Sequence, residues 1–134
     1  MPLATPVEAI RQARRLLGLP ASEAGSAWHV RRLDGQEAYF LVHADGRVAC
    51  LDADSGAMLA SADSVREPVA LSRERALSVA AMGDDASAEL VWKPCPATMS
   101  MFDPLWLVAR DGRSTYVDQR GKRWPALDPG RPGS

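Results

Sequence analysis

Two histidines, His29 and His43, and two cysteines, Cys50 and Cys95, are the imidazoles and thiols of this chain. His43 and Cys50 are the pair whose spacing could bring them together. A two-residue loop at Asp45-Gly46 would set His43 beside Val48 and Leu41 beside Cys50 on one face of a hairpin, leaving imidazole and thiol as diagonal neighbours. A nucleophilic thiolate also needs electropositive surroundings and a third group that orients the base. The sequence nominates neither, so the pair reads as structural. Asp45, Asp52, Asp54, Asp111 and Asp118 could offer oxygens to calcium. Each sits instead in a turn cluster where aspartate favours the local conformation unaided, and the spacing is not that of the twelve-residue calcium loop. Glycines occur singly at turns, with no phosphate-cradling run. The expectation is a non-enzymatic chain with no catalytic residue, no metal site and no cofactor.

The bulk numbers agree. Sixteen lysines and arginines against seventeen aspartates and glutamates leave a net charge of −1, so there is no basic field for nucleic acid and no acidic tail. Lys93 and Lys122 are the two lysines, a bias toward arginine that reflects a GC-rich coding sequence. At 134 residues the chain can build an ordinary core without staples, burying roughly two-thirds of its unfolded surface. No stretch approaches the roughly 20 apolar residues that a membrane span needs. The N-terminus runs into a charged amphipathic pattern rather than a signal-peptide core. The chain is therefore expected in the cytoplasm if Met1 is the native start, and in the periplasm or outside the cell if a signal peptide has been removed. Cys50 and Cys95 have no C-x-x-C spacing. They read as two small apolar side chains, or, in an oxidising compartment, as a bridge worth roughly 4 kcal/mol.

The elements that would position these residues follow from capping and periodicity. Thr5 and Pro6 open a helix that closes at Gly18, with Val7, Ile10, Ala13, Leu16 and Leu17 on its apolar side and the charged residues mostly opposite. Strands are expected at Trp28 to Leu33, Ala38 to Val42 and Val48 to Leu51, with turns at Asp34-Gly35, Asp45-Gly46 and Asp52 to Gly56, then a short apolar piece, Ala57-Met58-Leu59. From Ser72 the pattern begins again. A helix runs toward Gly83, and strands follow at Ala88 to Trp92, Pro104 to Ala109 and Ser114 to Val117, before a turn at Asp118 to Gly121 leads into Lys122-Arg123-Trp124.

The two halves align directly. Phe40-Leu41-Val42-His43-Ala44-Asp45-Gly46-Arg47 lies sixty-six residues before Trp106-Leu107-Val108-Ala109-Arg110-Asp111-Gly112-Arg113, and Leu51-Asp52 lies the same distance before Val117-Asp118. One deletion then carries Gly56 onto Gly121. The shared residues occupy turn and core positions, which is where a duplicated hairpin keeps them, and the pattern reads as an internal duplication.

This order of elements resembles the PepSY domain, named for peptidase propeptides. The resemblance rests on Ala38-Tyr39-Phe40-Leu41-Val42, Asp45-Gly46 and Leu51-Asp52-Ala53-Asp54-Ser55-Gly56-Ala57-Met58-Leu59, and again on Pro104 to Val108 and Thr115-Tyr116-Val117-Asp118-Gln119-Arg120-Gly121. The second copy departs from it at Gln119, lacks a match to Asp54, and carries an insertion from Lys93 to Asp103. Two tandem copies, at 4–62 and 68–127, would be followed by a disordered tail at 128–134. The resemblance implies an α+β fold of two helix-plus-antiparallel-meander units, each a cystatin-like helix on a curved sheet. It also implies a module that binds or restrains a peptidase or an envelope-associated partner and does no chemistry of its own. A small intracellular interaction protein, of the immunity or dimeric accessory kind, is the alternative.

The hairpin faces locate the expected contacts. Phe40, Val42, Ala49 and Leu51, with Trp106, Val108, Thr115 and Val117, should pack under the helices. The opposite side carries Tyr39, Leu41, His43, Val48 and Cys50 in one half and Leu107, Ala109, Ser114 and Tyr116 in the other, too apolar a set for a fully solvated face. Either the other repeat or a second subunit covers it, or an external protein or lipid-like ligand does. Tyr39, Leu41, His43, Leu107 and Tyr116 are the candidate partner-binding residues. Met99, Met101 and Phe102, between prolines, form a candidate contact loop, because methionines repack against varied surfaces. Arg110, Arg113, Arg120, Lys122 and Arg123 give the second hairpin a basic edge, read either as protection against strand pairing or as a dock for an acidic partner.

Overall fold

The computed structural model describes residues 2–83, 85–98, 100–125 and 127. The chain divides into two compact units, Met1–Pro68 and Val69–Ser134. Both are α+β, each with one helix packed on an antiparallel sheet.

The first unit starts with α1, Pro6–Leu16. The Thr5 hydroxyl accepts the Glu8 N–H, proline takes the first turn, and arginines fill the last, where cations suit the helix dipole. Four strands follow: β1 (Ser26–Arg32), β2 (Tyr39–Ala44), β3 (Arg47–Asp52) and β4 (Met58–Asp63). They form an antiparallel meander in which each pairs with the next. The β2–β3 loop is the two-residue turn that the sequence demands. Asp45 and Gly46 have φ of 49° and 73°, the pair of left-handed residues that matches strand twist. Its register sets His43 opposite Val48 and Leu41 opposite Cys50, as expected. Phe40, Val42, Ala49 and Leu51 consequently share the face under Ala9, Ile10 and Ala13 of α1. Each large apolar side chain buried there contributes about 1.5–3 kcal/mol relative to exposure.

β4 runs beyond the expected Leu59 to Asp63. Ala60, Ser61 and Ala62 carry no strand propensity, so this length comes from backbone pairing with β3, and a register shift at Cys50/Leu51 accommodates the edge.

The second unit repeats the order with α2 (Arg73–Ala80), β5 (Ser87–Trp92), β6 (Leu105–Arg110), β7 (Arg113–Val117) and the two-residue β8 (Arg123–Trp124). Ser72 caps α2 by accepting the Arg75 N–H. The helix stops at Ala80 rather than continuing to Gly83, because Ala81 already takes the left-handed cap conformation, φ 53°. Asp111 and Gly112, at φ 52° and 78°, make the same two-residue turn as in the first unit. Trp106 pairs with Val117 and Val108 with Thr115. This face packs on α2, with Ala76, Ala80, Val108 and Val117 buried and Thr115 half-buried. The residues 128–134, expected to be a disordered tail, lie outside the described residues.

Candidate partner-binding surface

The far side of each sheet, away from its helix, is where the candidate residues fall, and the two units treat it differently. In the first, Tyr39, Leu41 and Cys50 have no exposed surface and Val48 has 2 %. Tyr39 and Leu41 are thus fully buried side chains. His43 is half-buried, its Nε2 2.9 Å from the Ser64 carbonyl oxygen.

In the second unit Val91 and Leu105 are fully buried at one end of the equivalent face. Toward the hairpin tip the face opens: Leu107, Ala109 and Tyr116 are half-buried, and Ser114 and Glu89 are exposed. Leu107 and Tyr116 are direct cross-strand partners. With Ala109 they form the open apolar patch of the second unit's far face.

The end of this face is closed by a polar knot that the sequence reading treated only as a turn. Asp118 is completely buried. Its Oδ1 accepts the Arg120 and Lys122 backbone N–H groups, both at 2.9 Å. Its Oδ2 accepts the Trp124 indole N–H at 2.9 Å and the Arg120 guanidinium at 3.1 Å. Burial pushes this carboxyl up, but the Trp124, Lys122 and Arg120 donors and the Arg120 charge outweigh it and hold the pKa below the ordinary carboxylate value. Lys122 lies 4.2 Å from the centroid of the Trp124 ring, which it shields from water. The signal available in the sequence was Asp118 with a tryptophan six residues on, an indole donor able to reach back over a tight turn.

In the candidate contact loop, Met101 and Phe102 are half-buried, and Met99 lies outside the described residues. The segment is tied down locally. The Trp92 indole donates to the Ser100 carbonyl at 2.8 Å, the Thr98 hydroxyl to the Lys93 carbonyl at 2.9 Å, and the Gln119 amide to the Pro104 carbonyl at 3.0 Å. Ala97 at its centre is fully buried.

Of the basic edge, Arg110 pairs with Asp85 and Asp111, and Arg120 with Asp103 and Asp118. Arg113 and Arg123 are exposed.

Cys50 and Cys95 are not bridged to each other. Desolvation pushes the Cys50 thiol up to about 12, against a smaller opposing pull from the Arg32 charge, so almost none of it is thiolate at neutral pH. The spacing of His43 and Cys50 is as expected, and burial keeps this thiol protonated. Among the described residues, no three of His, Cys, Asp and Glu gather as a metal site, and no helix is long and apolar enough to cross a membrane.

No family model, curated protein or solved structure matches the chain in comparisons of sequence and fold.

Proposed function

We propose that the chain is a tandem PepSY-like binding module, without chemistry of its own, that regulates or restrains a peptidase or an envelope-associated protein. The observation that carries this reading is the open apolar pair Leu107–Tyr116 on the far face of the second sheet, in a unit whose helix-side face is already filled. A half-buried tyrosine beside an aliphatic residue, rimmed by the exposed Ser114 and Glu89, has the composition of a protein contact: an aromatic anchor with a polar border. Support for the family assignment comes from the order helix, meander, Asp-Gly turn and Asp-to-Gly turn, which occurs in both units with the same hairpin register, the last turn being one residue shorter in the second.

The test is crosslinking capture from host lysate followed by an activity assay on the purified partner. Wild-type chain should retain a peptidase or an envelope protein and, for a peptidase, slow its cleavage of a model substrate. Tyr116→Asp, shown to be folded by circular dichroism, should weaken capture about tenfold, the scale of losing a central aromatic anchor. A wild-type chain that captures only further copies of itself would sink the regulatory reading.

A further inference from the structure

The first unit holds a preformed cleft that the sheet-face reading does not use. It lies beside the C-terminal half of α1, has a volume of about 640 Å³, and is bounded by Arg11 and Arg15 on the helix and by Leu19, Ala21, Ser22 and Glu23 on the loop that follows. That volume falls within the range of small-ligand and peptide sites.

The loop wall is built rather than incidental. Arg14, only 4 % exposed, reaches from α1 into the loop, donating from Nε to the Pro20 carbonyl at 2.8 Å and from Nη1 to the Ala24 carbonyl at 3.1 Å. Its Nη2 also holds Asp45 at 3.0 Å, so helix, loop and β-hairpin share one anchor. The loop ends at Gly25, φ 138°, where a Cβ would lie 2.7 Å from the His43 carbonyl oxygen; a side chain there would lift the loop off the sheet. At the other end the Leu19 and Gly18 N–H groups satisfy the Arg14 and Arg15 carbonyls, so the helix terminus presents few bare acceptors to the cleft.

The charges sort themselves unequally. Arg11 is bonded to Glu23 across the mouth. Arg15 is held through Nε and Nη2 by the neutral Gln12 side chain and has no acidic partner among the described residues. Two guanidiniums and one carboxylate leave a single uncompensated positive charge, on a wall completed by Gly18, Ser22, the aliphatic Leu19 and Ala21 and the arginine stems. Glu8 sits in the first turn of α1, two turns from Arg15, with its carboxylate on the Thr5 hydroxyl.

From this we infer that the cleft binds the C-terminus of a peptide whose last residue is aliphatic. The carboxylate pairs with the Arg15 guanidinium, and the side chain lies against Leu19 and Ala21. One negative charge matches the residual charge of the site, and a guanidinium fork suits a planar carboxylate. The volume exceeds what a short free acid fills, which favours a chain end over a small carboxylic acid. Glu23 is the internal competitor: it occupies Arg11 and repels a second carboxylate.

The experiment is a titration of the full, isotopically labelled chain with a tetrapeptide ending in leucine, read from the backbone amide shifts of Gly18, Leu19 and Ser22. Saturable shifts are expected for the free acid, about tenfold weaker binding for the same peptide as its C-terminal amide, and about tenfold weaker binding for Arg15→Gln. Glu23→Gln should bind several-fold more tightly. Arg15 and Glu23 are exposed, so both variants keep the fold, and unchanged amide spectra elsewhere verify it. Equal binding of acid and amide, no saturable shift with the acid, or binding of hexanoate without the peptide would each overturn the assignment. Tyr116→Asp should leave this titration unchanged, so failure of the cleft and failure of the sheet face are told apart.

Discussion

Asp52 and Asp118 stand at the same point of their hairpins, one at the end of β3 and the other just past β7, and each accepts backbone N–H groups from the turn that follows. Asp52 takes the Asp54 and Ser55 N–H groups at 2.8 and 2.9 Å while remaining half-exposed. Asp118 takes two N–H groups as well, but adds an indole and a guanidinium and is wholly buried. The deletion that separates the two turns in sequence is visible in their closure. The Asp52 N–H reaches the Ala57 carbonyl, five residues on, whereas the Asp118 N–H reaches Lys122, four residues on. The shorter turn is followed by a two-residue strand, which offers little backbone pairing of its own. The difference teaches that a turn motif serves as a local cap where a full strand follows, and becomes a core element where one does not.

The largest effect should separate these two aspartates. Asp118→Ala leaves the half-buried Trp124 indole N–H and two backbone N–H groups without an acceptor and removes one of the two carboxylates that Arg120 pairs with, for a loss of roughly 3 kcal/mol. In Asp52→Ala, water can replace the lost acceptor, and the loss should be about 1 kcal/mol. Denaturant unfolding measures both. Hydrogen exchange locates them: in Asp118→Ala, faster exchange should concentrate in β6–β8 and spare β2–β4. Equal losses would show that burial of Asp118 does not set its role.

A second pair contrasts the arginines that tie each unit's post-helix segment down. Arg14 lies buried and makes three such bonds, whereas the half-buried Arg110 donates to the Met82 carbonyl at 2.8 Å and to partly solvated carboxylates. Arg14→Ala should cost roughly 2 kcal/mol through lost bonds and lost packing of its stem. Arg110→Ala should cost about 0.5–1 kcal/mol, as exposed ion pairs contribute little. Thermal melts of the two variants check the order, and Arg14→Ala should additionally abolish peptide binding at the α1 cleft.

These pairs also mark what was legible in the sequence. Both hairpin registers, both Asp-Gly turns and the residues under α1 follow from a two-residue period broken by residues that tolerate positive φ, which is local chemistry. Arg14 was placed with the solvated charges because arginine usually is. Its position four residues after Ile10, on the buried side, was the available clue, and the three acceptors it needs are two carbonyls of the following loop and the Asp45 carboxylate, thirty-one residues on. Asp118 escaped for the same reason, its role depending on how deep the turn lies. The length of β4 depends on pairing with β3, and its residues carry no sign of it. The closed far face of the first unit against the open one of the second is likewise a matter of packing, since Tyr39 and Leu41 read no differently from Leu107 and Tyr116.

Acid sharpens the aspartate comparison, because both carboxyls titrate below their ordinary value. For Asp52 the Ser55 N–H is the main cause and burial opposes it; for Asp118 burial opposes more strongly and the donors still prevail. A carboxyl whose pKa is lower folded than unfolded stabilises the fold fully above the unfolded value, about 4, and loses that contribution as pH falls through the folded value. The stability gap between wild type and Asp118→Asn should therefore be flat from pH 8 to about pH 5 and shrink below pH 4. The corresponding gap for Asp52→Asn should follow the same course from a smaller starting size. A gap for Asp118→Asn that widens in acid would contradict the sign of its shift.

The smallest perturbation leaves stability untouched and reads the interior directly. Cys50 lies sealed among Tyr39, Leu41 and Val48 on the closed face, with its thiol raised to about 12, while Cys95 is half-exposed in the β5–β6 segment. Alkylation at pH 8 followed by intact-mass and peptide analysis should modify Cys95 within minutes and Cys50 only at the rate at which the fold opens. In Asp118→Ala, Cys95 should react as before, and any gain at Cys50 should track the loss of global stability. Rapid modification of Cys50 in the stable wild type would mean that the far face of the first sheet opens readily, and the contrast between a closed and an open face would then fail.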